Sequence, residues 1–514
     1  MIKSIFYSES FKRGFVVSSS LNILSKIIGF INISIIAFFF GTTSATDVYF
    51  FCLGLIGTIS TFLIALNSTI LIPEAMHIKE QRSEKESQIF LSFFLYIYIA
   101  VCIVLSILTL LKPVGVFTHV SKFSFQILND NILVLYLSVP LITLLTINSF
   151  FSDILISYKY FSVSIIPSLL NSILSILFVL VLHSRLHILS VLIGALSANV
   201  FQLFITIYLL KKNLHWSFRF SFIKIRRKTV HDIFAAQAGN FATMLTGYIP
   251  LMLLSSFQAG ILSSINYGNR IPDMITLIIT AQFGTVIGIK FNELYAQKRN
   301  DEIKKTFLDG SSLLQFVLVP ICIIVFLFSQ DIITVLFGRG AFDKTSIKNA
   351  SQFLRLFIMV LPFTAHNAIV ARLFMGAQKI QKSYIFQIIM SCIMVLIVYA
   401  SIALIGPQGY PIGIIIYYVC NSMAMIIIMR INFNFIPYEK TLLYTLKCIL
   451  LNTPSALCVI AARKMMGNHS YMLIAFSCVI YSALLLFLNQ KMRINATVVD
   501  VVENVINKIK VAGS

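Results

Sequence analysis

Apolar runs of about twenty residues or more, the length needed to cross a bilayer hydrocarbon core, recur fourteen times along this chain. They lie at about 17–40, 48–72, 89–111, 132–156, 160–182, 189–210, 230–255, 263–289, 311–329, 350–375, 384–405, 411–429, 441–462 and 471–489. Such runs are too long and too numerous for the core helices of a soluble protein. The pattern predicts an all-α polytopic membrane protein with about fourteen transmembrane helices. Several runs carry a polar stripe. Ser19, Asn22, Lys26 and Gly29 fall on one face of the first span, and Asn240, Thr243, Gly247 and Pro250 repeat the spacing on the seventh. Arg355, Pro362 and His366 lie along one face of the tenth. Close helix packing would account for the uncharged members, since small and hydroxyl residues join helices in lipid.

The longest basic loop, KKNLHWSFRFSFIKIRRK at 211–228, separates the sixth span from the seventh. It divides the chain into a first lobe of spans one to six (1–210), a basic cytoplasmic linker (211–229) and a second lobe of spans seven to twelve (230–430). Spans thirteen and fourteen (431–490) and a cytoplasmic tail (491–514) follow. The linker suits either orientation of the chain or attraction to anionic head groups. VVDVVENVINKIK in the tail has the pattern of a surface amphipathic helix. The two lobes share a faint echo. FFFGTTSATDVYFF joins spans one and two, and LSSFQAGILSSINYGN joins spans seven and eight, with small, polar and aromatic positions in similar order. Paired halves with a site between them are common in transporters.

Composition sharpens this. Only 11% of the 514 residues are charged, against roughly a quarter in soluble domains. The net charge of +21 would suit nucleic acid, but its distribution answers to topology instead. With the N-terminus inside, inner segments hold 27 Lys and Arg and outer loops hold 8. That bias orients the chain with both termini in the cytoplasm and removes nucleic acid as a partner. The first apolar run is too long for a cleavable signal and reads as a retained span. The eight cysteines all lie in apolar runs, without metal or redox spacing.

Charges inside the spans are the informative residues, because each costs several kcal/mol there. Lys26 lies about ten residues into its span, and Arg270 about a third of the way into the eighth, where Pro272 offers a place for the helix to break. Arg355, Arg372 and Lys447 lie near ends, within reach of the interface by snorkelling. Asp47, Asp153, Asp232 and Asp273 also lie near ends, and Asp273 is placed to pair with Arg270. The deep charges are therefore cationic. That favours an anion such as a pyrophosphate, which a guanidinium grips through two parallel hydrogen bonds. No filter loop of a channel, nucleotide-binding loop, metal-binding His motif or acid cluster is present, and the outer loops are too short for a catalytic domain. The chain reads as no enzyme, with no cofactor and no metal. A drug/cation antiporter would want a deep acid, and a membrane glycan ligase a larger outer loop.

Four stretches resemble the MurJ (MviN) lipid II flippase family of the multidrug/oligosaccharidyl-lipid/polysaccharide exporter (MOP) superfamily, to which the MATE transporters also belong. They are LSKIIGFINISIIAFFFGTTSATDVYF at 24–50, INYGNRIPDMITLIITAQFGTVIGIKFNEL at 265–294, LFGRGAFD at 336–343 and LPFTAHNAIVARLFMGAQK at 361–379. The resemblance implies two six-helix lobes enclosing a cationic cavity, plus two further helices. It implies a monomeric flippase in the bacterial inner membrane, embedded among membrane lipids. Its substrate would be an undecaprenyl-pyrophosphate-linked saccharide, lipid II or a related glycan, moved outward by alternating access. An O-antigen or capsule unit is the alternative cargo. Arg270 matches the family's cavity arginine in span eight, and Asp47 its acid at the start of span two. Lys26 stands where the family has an arginine in span one, keeping the charge without the fork, and Asn32 where it has a second arginine. Ser60 and Thr61 replace an arginine pair, and Lys379 to Ser383 replace an Asp-Thr-x-Thr-Pro stretch. Asn22, Asn240, Asp273, Arg355 and His366 are expected as supporting polar residues. Coupling to Na+, H+ or the membrane potential is implied without a place for the ion.

Overall fold

The computed structural model describes residues 11–222, 226–466 and 471–492, together with 495, 498 and 499. The side chain of Ser19 lies outside that description. So does nearly all of the 491–514 tail, with the amphipathic helix expected in it.

All regular structure among the described residues is helical. The chain begins with α1 (Phe11–Phe40), α2 (Ser44–Leu66), α3 (Ile72–Gln81) and α4 (Glu84–Leu111). The short α5 (Pro113–Val120), α6 (Phe125–Asp130) and α7 (Ile132–Ser138) lead into α8 (Pro140–Ser157). Then come α9 (Phe161–Leu186), α10 (Leu189–Leu214), α11 (Arg227–Leu254), α12 (Ile261–Ile275) and α13 (Ala281–Ala296). The remainder holds α14 (Asn300–Leu327), α15 (Ser329–Phe337), α16 (Lys344–Ile358) and α17 (Leu361–Gly376). It ends with α18 (Ile380–Ile405), α19 (Gly409–Asn432), α20 (Glu439–Met466) and α21 (Tyr471–Met492).

Each of the fourteen expected spans falls on helix. Among the described residues, eleven helices are long and apolar enough to cross a membrane, and α16 with α17, bent by 43°, makes a twelfth. The seventh and fourteenth expected spans are not among them; in the seventh, His231, Asp232, Gln237 and Asn240 interrupt the first half of α11. The fourth span is jointed at Pro140, which opens α8 directly after α7.

Two spans are much longer than a bilayer requires. Ser44–Gln81 runs through α2 and α3, and Ile261–Ala296 through α12 and α13. Each contains one π-helical turn, Asn67–Leu71 in the first and Thr276–Thr280 in the second. The eighth span does not break at Pro272. An interior proline removes one backbone donor and crowds the carbonyl four residues back, here Gly268. Lipid-embedded helices absorb that loss by local π adjustment, and the irregularity appears one turn later. Gly268 leaves no room for a side chain: an added Cβ would meet the Ala350 carbonyl oxygen at 2.7 Å and the Phe353 Cβ at 2.9 Å.

The described residues form two compact units. The first draws on Met1–Tyr267, Leu336–Asn349 and Gln387–Tyr410, and the second on Gly268–Val335, Ala350–Phe386 and Pro411–Ser514. In the first unit, α9 and α10 approach closely at Gly194, where a Cβ would lie 2.9 Å from that of Phe178. The buried Phe51, Phe150 and Phe151 fill its interior. In the second, Phe291, Phe307, Leu314, Ile369, Leu373 and Phe433 make one core. A further cluster of Phe316, Cys448, Leu451 and Tyr481 fixes α20 and α21 onto α14.

Three turns interlock in the first unit, each with a left-handed glycine: Gly41 (φ +57°), Gly260 (φ +90°) and Gly340 (φ +63°). The Ala341 amide donates to the Phe38 carbonyl at 2.8 Å, extending the end of α1 into the 336–343 stretch. Thr42 and Ser346 join hydroxyls at 2.6 Å. A Cβ on Gly41 would collide with the Ala341 carbonyl, one on Gly340 with the Phe38 carbonyl, and one on Gly260 would lie 2.8 Å from the Thr42 carbonyl oxygen. Tyr267, fully buried, reaches the Gly41 carbonyl with its hydroxyl at 3.3 Å and packs edge-on against Phe342. Asp343 accepts from the Ser346 hydroxyl and amide, which holds its carboxyl below the usual carboxylate range and caps α16. The two stretches read as a sequence echo are thus neighbours in space, with LFGRGAFD wedged against them.

Replacing Gly340 by alanine forces a side chain into a left-handed turn against a backbone carbonyl. The expected cost is about 1–3 kcal/mol, read as a lower melting temperature of the detergent-purified chain. Gly29→Ala, whose methyl would meet nothing within 4 Å, is expected to leave that temperature unchanged or raise it.

Candidate functional site

The deep cations belong to different units. In the second unit Arg270 lies on α12, half-buried, and its Nε is enclosed without a hydrogen-bond partner among the described residues. Asp273 is one turn further along the same face. The Asn269 amide donates to its Oδ1 at 3.1 Å, and the Arg270 guanidinium acts on the same carboxylate through its charge. A charged donor left unsatisfied in a low-dielectric setting costs more than the ~1–3 kcal/mol of a neutral one, so Arg270 is poised for an acceptor.

Lys26 lies in the first unit, on α1. It is exposed, as are Asn22, Leu24 and Ile27 around it. An added Cβ at Gly29 meets open space. The stripe on span one therefore faces away from its neighbours and is not a packing seam. Asn32, one turn further, is half-buried, and its Oδ1 has no partner among the described residues.

The matching stripe on span seven behaves in the opposite way. Asn240 bonds the Gln237 side chain at 3.0 Å, and Thr243 receives the Gln387 amide at 3.1 Å. A Cβ on Gly247 would contact Thr58 of α2 at 3.4 Å. Thr243 and Gly247 thus join α11 to other helices, while the Asn240 bond stays within α11. The charged or titratable pair expected on span ten is likewise engaged in the second unit. Arg355 donates from Nε to the Ser329 hydroxyl at 2.6 Å, while buried His366 pairs through Nε2 with the Thr445 hydroxyl at 2.9 Å. The His366 Nδ1 has no partner among the described residues.

Asp47 is almost wholly buried on the first turn of α2. Its two oxygens accept from the Gly260 amide at 2.6 Å and the Ser263 amide at 2.7 Å, at the start of α12. The first amides of a helix have no intrahelical acceptor and carry the positive end of its dipole. Asp47, expected among the substrate-binding residues, thus spends its carboxylate on that helix start. Composition and spacing could not show this, because the partner amides are more than 200 residues away in sequence.

Lys379, which replaces an acid of the pattern described above, donates from Nζ to the Asn432 carbonyl at 2.5 Å and lies 4.5 Å over the Phe433 ring. Partial burial, and then the like charge of Lys382, push its ammonium pKa down. Among the described residues no three His, Cys, Asp or Glu side chains gather as a metal site would require.

Comparison with known proteins gives these residues a context. The sequence profile of the family described as lipid II flippase MurJ matches residues 36–483. A probable lipid II flippase MurJ from Buchnera aphidicola subsp. Acyrthosiphon pisum is 25% identical over 73% of this chain and 76% of its own length. One from Borreliella burgdorferi is 24% identical over 68% and 70%. Among solved structures, a lipid II flippase MurJ in an inward closed conformation superposes with a TM-score of 0.75 at 17% identity, covering 93% of this chain and 98% of that one. An inward-facing MATE family transporter of the MOP superfamily gives 0.62 at 13% identity, over 82% and 95%. These structural likenesses concern the fold.

The Asp47 cap generates its own expectation. Asp47→Ala leaves two buried amides without an acceptor, and a lost helix cap costs about 0.5–2 kcal/mol. A lower melting temperature is expected, partly restored in Asp47→Asn, which keeps one acceptor oxygen. An unchanged melt in Asp47→Ala would contradict the capping role.

Proposed function

Because this chain belongs to the lipid II flippase MurJ family, we propose that it carries lipid II from the inner to the outer leaflet of a bacterial inner membrane by alternating access, with Arg270 gripping the pyrophosphate. The observation that carries this assignment is the enclosed Nε of Arg270, without a partner among the described residues, on a helix long and apolar enough to span a membrane. A guanidinium presents parallel N–H donors at the spacing of phosphate oxygens, and charge-assisted bonds of this kind are about twice as strong as neutral ones. Asp273 holds the resting arginine through its charge, and the incoming pyrophosphate takes its place.

In the first unit, Lys26 is an exposed cation on α1, near Gly29, where an added Cβ would meet nothing, and Asn32 stands one turn further along that helix. Asp47 serves the site indirectly, by fixing the start of the helix that bears Arg270. Arg355 and His366 serve through contacts with other helices, and Asn240 through a bond within α11. The chain is a multi-pass membrane protein, and the reading is transport, with no covalent step assigned to any of its residues. The matched family and the curated relatives favour lipid II over an O-antigen or capsule unit. The likeness to MATE transporters extends to fold alone.

The test is rescue of a bacterium depleted of its own lipid II flippase, with flipping of labelled lipid II in proteoliposomes as the direct measure. The wild-type chain is expected to rescue. Arg270→Ala removes charged hydrogen bonds worth about 1.5–3 kcal/mol each and is expected to lower flipping at least about tenfold with its melting temperature unchanged. Arg270→Lys keeps the charge without the fork and is expected to lie between the two. Full flipping by Arg270→Ala would remove the clamp from the mechanism. A wild-type chain that flips another lipid-linked glycan and not lipid II would overturn the substrate.

A further inference from the structure

Within the first unit, two buried polar side chains and a half-buried one, from three helices, form a chain of hydrogen bonds that the handling of a pyrophosphate does not use. Asn67, fully buried, opens the π-helical turn at the end of α2. Its Oδ1 accepts from the Tyr98 hydroxyl of α4 at 3.0 Å, and its Nδ2 donates to Asp153 Oδ2 of α8 at 2.9 Å. Tyr98 packs edge-on against Phe150, one turn before Asp153. Four residues separate Asp153 from the end of α8, so the half-buried carboxyl is close to that end of its span.

Among the described residues no salt bridge joins a cation to this carboxylate. Tyr98 of α4 feels its charge, and Cys102 on the same helix is a further titratable neighbour of Tyr98. On α3, Lys79 pairs with Glu84 at 3.6 Å and lies 4.0 Å over the Tyr158 ring, while Glu74 is engaged by Arg226 at 3.9 Å. The remaining charges of that corner, His77, Glu80, Lys85 and Glu86, lie on α3 and the first turn of α4, where Glu86 pairs with Arg82. At the end of α10, Lys211 lies over Phe218 and Lys212 over Tyr208. Among the described residues Asp153 has no ion pair. A carboxylate inside a membrane span with one neutral donor is a costly arrangement, and such residues recur in proton relays.

We infer that Asp153 is a protonation site of this transporter, loaded and emptied as the protein turns over. The orientation of Asn67 decides between a proton and a metal cation. Tyr98 draws the amide oxygen towards itself, which leaves the N–H2 group facing Asp153. A sodium ion at that place would meet a repelling dipole and one carboxylate, far short of an oxygen cage. A proton needs neither. It sits on Oδ1 while Oδ2 keeps the Asn67 bond, and it arrives from and returns to water without any other bond being made. The π-turn links this event to the backbone, since π-turns are found at functional sites and Asn67 is the first residue of this one. The coupling of the proton to lipid movement rests on the flippase reading. The protonation does not.

Two measurements on the full chain separate these. Infrared difference spectroscopy across a pH titration in liposomes is expected to show a carboxylic-acid C=O band that disappears in Asp153→Asn, is insensitive to NaCl, and has a displaced midpoint in Tyr98→Phe. Absence of any band belonging to Asp153, or a band that responds to Na+ and not to pH, overturns the site. In lipid II flipping assays an imposed proton gradient is expected to accelerate the wild-type chain, and Asp153→Asn is expected to lose that acceleration. A mutant that keeps it while its band is gone overturns the coupling. A wild-type chain that flips no lipid II at all sinks the flippase reading, and the infrared titration still judges Asp153.

Discussion

One carboxylate holding two backbone amides sets the conditions for the rest of the first unit. The first N–H groups of a helix have no intrahelical acceptor, and at the start of α12 they are buried in protein. Asp47 supplies both an acceptor and a negative charge at the positive end of α12. Bringing that carboxylate within 2.7 Å of the Gly260 and Ser263 amides requires the chain to reverse tightly on both sides of it. Gly41 and Gly260 adopt left-handed φ for that reason. The 336–343 stretch then closes over the pair with its own left-handed glycine and a backbone bond to Phe38. Arg270 follows Ser263 by two turns of the same helix. Arg270, which we propose grips the pyrophosphate, is therefore carried by the helix whose start Asp47 holds.

Identical spacing of polar residues produces unlike surfaces on spans one and seven. On α11 the small and hydroxyl positions are occupied by partners, with Gly247 against Thr58 and Thr243 against Gln387. On α1 the corresponding face meets nothing, and Lys26 is exposed on it. A glycine with a neighbour is a packing device, and a glycine without one leaves room for something that is not protein. This distinction gives Lys26 its weight.

The membrane architecture was legible because apolar length is a local property: every expected span falls on helix, and the four quoted stretches anticipate the family. What could not be read locally was which polar residues are already engaged. Asp47 resembled a cavity acid, yet its partners lie beyond residue 259. Arg355 and His366 shared a helix face in the sequence, yet each is bound to a hydroxyl of another helix, Ser329 and Thr445. Pro272 suggested a break that the helix instead passes through, because Gly268 and the π-turn that follows absorb the loss. Asp153 was visible as an acid near the end of a span, but Asn67 and Tyr98 carried no pattern that distinguishes them from ordinary polar positions. Their meaning arises from a distance of 2.9 Å across a separation of 86 residues.

The π-turns have a consequence for how such chains diverge. A π-helical turn holds one residue more than the α-helical turn it replaces. Removing a single residue from Asn67–Leu71 would leave α2 continuous and still apolar, and would break no span. The α-helical turn left behind would still make one revolution, so the faces beyond it would keep their direction, whereas the same deletion in a regular turn rotates everything beyond it by about 100° about the helix axis. Comparison of this chain with its relatives should therefore find single-residue gaps in the second and eighth spans gathered at these two turns, where helix length changes without re-aiming a face. Register, more than residue identity, is what these two long helices have to preserve.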